Sequence, residues 1–190
     1  MPVGAKPTVS VLLAAAFGIL QPSATGGHMT TQSPGMFSVQ RSTKIAASAS
    51  TIFPFIDDLK RWQQWSPWEG LDPNMERTYS GADRGVGSAY AWRGNRKVGM
   101  GRMTIVEAAS PNSADIQLDF LKPFKATNHV RIELLPVSTG GEVQVSWTMT
   151  GKKTLMTRVI GIFKSMDAMV GPDFERGLAQ LKAVSEAASG

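Results

Sequence analysis

The sequence predicts an α+β domain: a seven-stranded antiparallel sheet wrapped around one long, kinked C-terminal helix, with two short helices after the first strand. Two observations carry the prediction. Between residues 75 and 150 short alternating segments follow one another at hairpin spacing, and beyond them apolar residues recur at helical spacing.

The first strand is Phe37 to Ile45, which alternates polar and apolar residues. Ser48-Ala-Ser50 then offers an N-cap for a short helix over 51–59, where Pro54 is tolerable only in the first turn. A second helical turn is expected over 59–64, followed by the Pro-broken aromatic loop Trp62 to Trp68. Six further strands are read over 75–79, 86–93, 97–108, 115–120, 127–135 and 142–150, with Gly94-Asn95 suited to a tight hairpin. Ile116, Leu118 and Phe120, then Val130, Ile132 and Leu134, then Val143, Val145, Trp147 and Met149 give each strand one apolar face, so one side of the sheet is wet and the other needs a cover. That cover is the segment Thr154 to Ala187, in which Val159, Phe163, Met166, Val170, Leu178, Leu181 and Val184 form an apolar stripe. Gly171-Pro172 interrupts it and should kink the helix, with Asp173 and Glu175 in the turn that restarts it.

Composition limits the chemistry. A chain of 190 residues, 42% hydrophobic and 18% charged, supports one globular domain plus a tail and excludes disordered, collagen-like and coiled-coil classes. With no Cys there is no disulfide, thiolate nucleophile or Cys-based zinc site, and two His leave little for a metal centre, so neither metal nor cofactor is expected. The net charge of +5 is spread thinly over the sequence and reads as no dedicated basic face, so no nucleic-acid partner is expected.

Residues 1–35 read as a leader and 36–188 as the folded domain. Lys6, the apolar run Val9 to Leu20 and the following Gln-Pro-Ser-Ala-Thr-Gly-Gly resemble the three regions of a secretory signal. Pro22 stands where a small residue is wanted before a cut after Ala24, and twelve apolar residues are too few to span a bilayer, so stable membrane insertion is not expected. Two other readings compete: a start codon placed too far upstream, and an appended leader ending at the cloning-type junction His28-Met29. The expected compartment is the cytoplasm, with export as the alternative if residues 1–24 are a true signal.

Further motifs are more specific: Trp65-Ser-Pro-Trp68 followed by Leu71-Asp-Pro73, Thr78-Tyr-Ser-Gly81, Gly85-Val-Gly87, Tyr90-Ala-Trp-Arg-Gly-Asn95 and Gly171-Pro-Asp-Phe-Glu-Arg-Gly-Leu178. With the order of elements, these resemble the bacterial polyketide-cyclase-like branch of the SRPBCC (START-like, helix-grip) superfamily over about residues 37 to 187. The resemblance implies a deep cavity between sheet and long helix. It implies less about function, since this fold hosts lipid carriers, cyclases and chaperone activators.

The residues fit a cavity independently. Trp62, Trp65, Trp68, Tyr90, Trp92, Met103, Phe120, Phe124, Trp147, Met149, Phe163 and Met166 are the expected ligand-binding set, since aromatic walls suit a planar or acyl ligand and thioethers adapt to irregular shapes. Met100 and Met169 add to this bulk. Plain core packing is the competing reading for each of them. No catalytic residue is assigned. His129 falls on the polar parity of its strand, His28 lies in the leader, and no Ser-His-Asp, HExxH or phosphate-loop context is present. Glu69, Asp72, Glu76 and Asp83 fall near the expected mouth, and Tyr90 with Glu69 or Glu107 is the candidate acid/base pair. Asp72 before Pro73 reads as turn chemistry, Arg93 and Arg102 as partners of Glu and Asp across the sheet or, alternatively, of a carboxylate ligand, and Lys152-Lys153 as a solvated pair.

Three functions follow, in order: binding of a hydrophobic small molecule or lipid in the cavity, a cyclase or dehydratase-like enzyme, and a protein-interaction or chaperone-cofactor role. The last needs an exposed apolar patch, for which the loop 62–68 is the candidate. A monomer or homodimer is expected.

Overall fold

The computed structural model describes residues 35–137, 141–153 and 165–190. Seven strands form one antiparallel sheet: β1 (Met36–Ile45), β2 (Glu76–Ser80), β3 (Ala89–Arg93), β4 (Met100–Ala109), β5 (Ser113–Lys122), β6 (Ala126–Pro136) and β7 (Val143–Lys152). Their order is β1-β7-β6-β5-β4-β3-β2, so six strands run as a meander and β1 closes onto the last of them. The α+β helix-grip architecture read from the sequence is the one observed.

The strand parity is also as read. Ile116, Val130, Ile132, Leu134, Val143, Val145, Trp147 and Met149 are buried, and His129 is exposed and paired with Asp115 at 3.2 Å. Alternation identifies the inner face because a register slip of one residue would expose every apolar side chain together.

Four local departures have physical causes. The helix expected over 51–59 is two single turns, α1 (Ala49–Ile52, capped by Ser48) and α2 (Pro54–Asp57), because Pro54 cannot donate to the preceding turn and starts a new one. The strand expected from residue 86 begins at Ala89, since Gly85 and Gly87 take positive φ (70° and 87°) that an extended strand cannot contain. Residues 94–99 form a longer loop rather than a two-residue hairpin, with Gly99 donating to the Asn95 carbonyl at 2.8 Å. The C-terminal helix α3 (Met166–Ala187) is unbroken through Pro172, which lies on its exposed side. Its N-cap is Ser165, and the part of the expected helix over 154–164, with Val159 and Phe163, lies outside the described residues.

Helix α3 packs on the sheet through Gly171, Phe174, Gly177, Leu178, Leu181 and Ser185. A Cβ on Gly177 would come within 2.7 Å of the Trp147 ring and 2.9 Å of Pro67, so this glycine lets the helix, the sheet and the aromatic loop meet. Between α2 and β2, a 3-10 helix (Leu59–Gln64), capped by Asp58, leads into that loop. Among the described residues no helix is long and apolar enough to cross a membrane.

Candidate functional site

A cavity of about 240 Å³ lies between the inner face of the sheet and the first half of α3. Its size is near the small end of ligand pockets, which run from about 300 Å³ upward. Nine of the twelve residues named from the sequence border it. Trp62, Trp68, Tyr90, Trp92, Met103, Phe120, Trp147, Met149 and Met166 all line it.

Strand pairing explains how these side chains meet. Tyr90 pairs with Met103 across β3 and β4, and Trp92 pairs with Gly101. A Cβ at Gly101 would strike the Trp92 ring at 2.5 Å, so the glycine gives the indole room to lie across the sheet. Val130 pairs with Met149, and Ile132 with Trp147, across β6 and β7.

Two members of the expected set stand elsewhere. Trp65 is only 1% exposed and does not line the cavity; its Nε1 donates to the Phe55 carbonyl at 2.8 Å, which turns the ring back onto α2. Phe124 sits at the β5–β6 turn, 50% exposed, over a separate shallow depression. Phe163 lies outside the described residues. The aromatic loop is likewise no exposed patch: Trp62 and Trp65 are buried and Trp68 is half-buried, because two of the three indoles are stapled to the carbonyls of α2.

Polar groups in the wall are few. Glu69 accepts from Arg77 Nη2 at 2.5 Å, and the Tyr90 hydroxyl stands 3.5 Å from its other oxygen. Tyr79 stacks on Tyr90 with ring centroids 5.1 Å apart and accepts from Gln63 at 2.7 Å. Burial first, and then the Glu69 charge, push the Tyr90 hydroxyl far above the usual phenol range, so it is an O–H donor at any ordinary pH. Glu107, the other partner considered for Tyr90, is exposed near the end of β4 and does not line the cavity. Arg93 pairs with Glu76 at 3.8 Å, while Arg102 is exposed and also absent from the wall. Asp72 caps its own turn, accepting from Asn74 and Asn95.

Phe174, Asp173 and Asn128 are among the wall residues outside the expected set. Asn128 shares the parity of Val130 and was legible on that ground. Asp173 and Phe174 follow Pro172, which read as a break. Asp173 in fact accepts from Trp68 Nε1 at 3.2 Å and from Arg176 at 2.5 Å.

One donor in this wall is unsatisfied. Four of the five indoles donate to the protein: Trp62 to Ile56, Trp65 to Phe55, Trp68 to Asp173 and Trp92 to Val98. The fifth, Trp147, is 1% exposed and its Nε1 has no acceptor among the described residues. An orphan buried donor costs about 1–3 kcal/mol.

Comparison with known proteins follows from this geometry. Residues 36–186 match the family described as polyketide cyclase / dehydrase and lipid transport. No curated protein matches the chain. Among solved structures it resembles a Chromobacterium violaceum protein at 14% identity and TM-score 0.55, over 81% of this chain and 99% of that one. It also resembles the Aha1 dimer of Colwellia psychrerythraea at 17% identity and TM-score 0.51, over 81% and 99%. A Rhizobium loti protein is similar at 15% identity and TM-score 0.55, over 79% and 96%. At these identities the structural likeness speaks for the fold, and the family match covers most of the chain. The chain belongs to the polyketide cyclase / dehydrase and lipid transport family of the SRPBCC superfamily.

Proposed function

We propose that this protein binds an apolar small molecule, planar or acyl in character, between the sheet and α3. The observation that carries the reading is the wall itself. Seven rings and four thioethers border the space, from Trp62, Trp68, Tyr90, Trp92, Phe120, Trp147 and Phe174 and from Met75, Met103, Met149 and Met166, and a well-packed interior has few voids of this size. The family's association with lipid transport agrees with it. The unsatisfied Trp147 Nε1 and the protonated Tyr90 hydroxyl favour an occupant carrying a carbonyl, ether or hydroxyl oxygen over a bare hydrocarbon.

Displacement of an apolar fluorophore by candidate acyl and aromatic compounds tests this. Saturable binding that is lost in Met103→Trp, where the larger ring fills the cavity, supports the reading; equal binding by that variant contradicts it.

One observation favours a second reading. Tyr90 and Glu69 bring an O–H donor and a carboxylate to one side of an apolar space, the equipment for proton transfer on a cyclising or dehydrating substrate. Binding ranks first because it requires no further polar group. Under the enzyme reading, Tyr90→Phe abolishes turnover while leaving binding of the apolar fluorophore intact.

A further inference from the structure

Antiparallel pairing brings three separated basic segments to one end of the sheet. β3 ends, β4 begins, β5 ends, β6 begins and β7 ends at this same edge, where α3 also starts. The β3–β4 loop carries Arg96 and Lys97, the β5–β6 turn carries Lys122 and Lys125, and β7 runs out through Lys152 and Lys153. All six are exposed, and none has an ion-pair partner among the described residues. Of the carboxylates at this end, Glu69 pairs with Arg77, Glu76 with Arg93 and Asp167 with Arg41, while Asp119 and Asp72 accept only from neutral groups, so two negative charges stand against the six cations. A charge that looks thin along the sequence is therefore gathered by the fold into one positive rim.

Apolar side chains stand within that rim. Leu121 and Phe124 flank the β5–β6 turn at 44% and 50% exposure. Phe124 and Lys152 share the shallow depression beside this turn, which has Phe120, Asn128 and Met166 in common with the cavity wall. Lys122 pairs with Met100, which sets it next to the β3–β4 loop bearing Lys97, itself a cavity-lining residue.

We propose that this end of the sheet docks on an anionic lipid bilayer, with Leu121 and Phe124 entering the interfacial zone and the surrounding lysines meeting lipid phosphates. Exposed apolar residues ringed by cations with no protein counter-ion match such a surface in both charge and hydropathy. Nucleic acid is the less favoured partner, because Leu121 and Phe124 project from a turn instead of lining a groove that would track a backbone. The docking reading goes beyond the cavity proposal and stands whatever the cavity holds. If both hold, an apolar ligand would pass between bilayer and cavity without crossing bulk water.

Vesicle co-sedimentation with the full chain tests it. One set of vesicles is pure phosphatidylcholine and the other contains about one third phosphatidylglycerol. The expected result is binding to the anionic vesicles alone, lost near 1 M salt, where the screening length falls to about 3 Å. Lys122→Gln/Lys125→Gln should lower partitioning roughly tenfold or more, at about fivefold per lysine. Leu121→Ser/Phe124→Ser should lower it by about tenfold while leaving thermal stability unchanged, since both side chains are exposed. Failure to bind anionic vesicles, equal binding by the wild type and both variants, or tight binding to a single-stranded oligonucleotide that survives Leu121→Ser/Phe124→Ser would overturn the proposal.

Discussion

The indole of Trp147 on β7 stacks on the ring of Phe174 on α3, with centroids 4.2 Å apart and planes 9° from parallel. The stack joins the centre of the sheet to the helix that covers it, and both rings border the cavity. Trp65 and Trp68 meet the same indole edge-on at 5.2 Å and 5.9 Å, so a single side chain ties together sheet, helix and aromatic loop. Under the proposed function, a change at this point should move stability and ligand binding together.

Phe174→Ala removes one half of that stack from a site only 1% exposed. Large-to-small changes at such positions cost about 3–5 kcal/mol. Urea denaturation should show a loss in this range; a loss under about 1 kcal/mol would mean that the helix does not rest on Trp147.

Trp147→Phe keeps an aromatic ring against Phe174 and deletes the orphan Nε1 donor. Relief of the unsatisfied group, about 1–3 kcal/mol, offsets part of the lost packing. The variant should be less destabilised than Phe174→Ala, while its affinity for oxygen-bearing ligands falls more than its affinity for hydrocarbons. Equal loss for both ligand classes would show that Nε1 is not used.

The chain has two tyrosines, Tyr79 and Tyr90, and the fold raises both hydroxyls, chiefly by burial. Ultraviolet titration of the folded protein should show both tyrosinate steps displaced upward, that of Tyr90 the further, the ordinary value of about 10 being recovered for both in urea. A full step at that pH in the folded state would contradict the enclosed geometry around Tyr90.

Asp57, at the end of α2, is 4% exposed; one carboxylate oxygen meets Arg84 at 3.2 Å and the other has no partner among the described residues. Burial raises its pKa, and the Arg84 charge only partly opposes this. Between the unfolded value of about 3.9 and the raised folded value, the folded state holds a proton that the unfolded state has released. Stability should fall as pH rises through the window between the two values. Asp57→Asn should flatten that slope in denaturation curves taken at successive pH values, and an unchanged slope would assign it to another group.

Much of this arrangement was legible in the sequence, for reasons that also mark where reading stops. The alternation along β5, β6 and β7 identified the inner wall because one face is buried and the other is wet, and Asn128 follows from the same parity. Trp62 and Trp65 could not be separated that way, since a single 3-10 turn decides which ring faces the cavity and which is sealed behind it. Tyr90 was named with either Glu69 or Glu107, and only the joining of β3 to the sheet, which closes the 21-residue span to Glu69, chooses between them. Phe174 was hidden by Pro172, which sits on the exposed side of α3 and interrupts the pattern without ending the helix. The basic rim was invisible for a related reason, its lysines being distant in sequence and adjacent only through strand pairing.

Native mass spectrometry of the purified protein, under gentle and then denaturing conditions, tests the central claim most directly. The expected result is a bound small molecule that survives gentle ionisation, is released on denaturation, and is missing from Met103→Trp. A single unliganded mass for the wild type, together with no uptake of any apolar fluorophore, would contradict it and leave a filled core in place of a binding site.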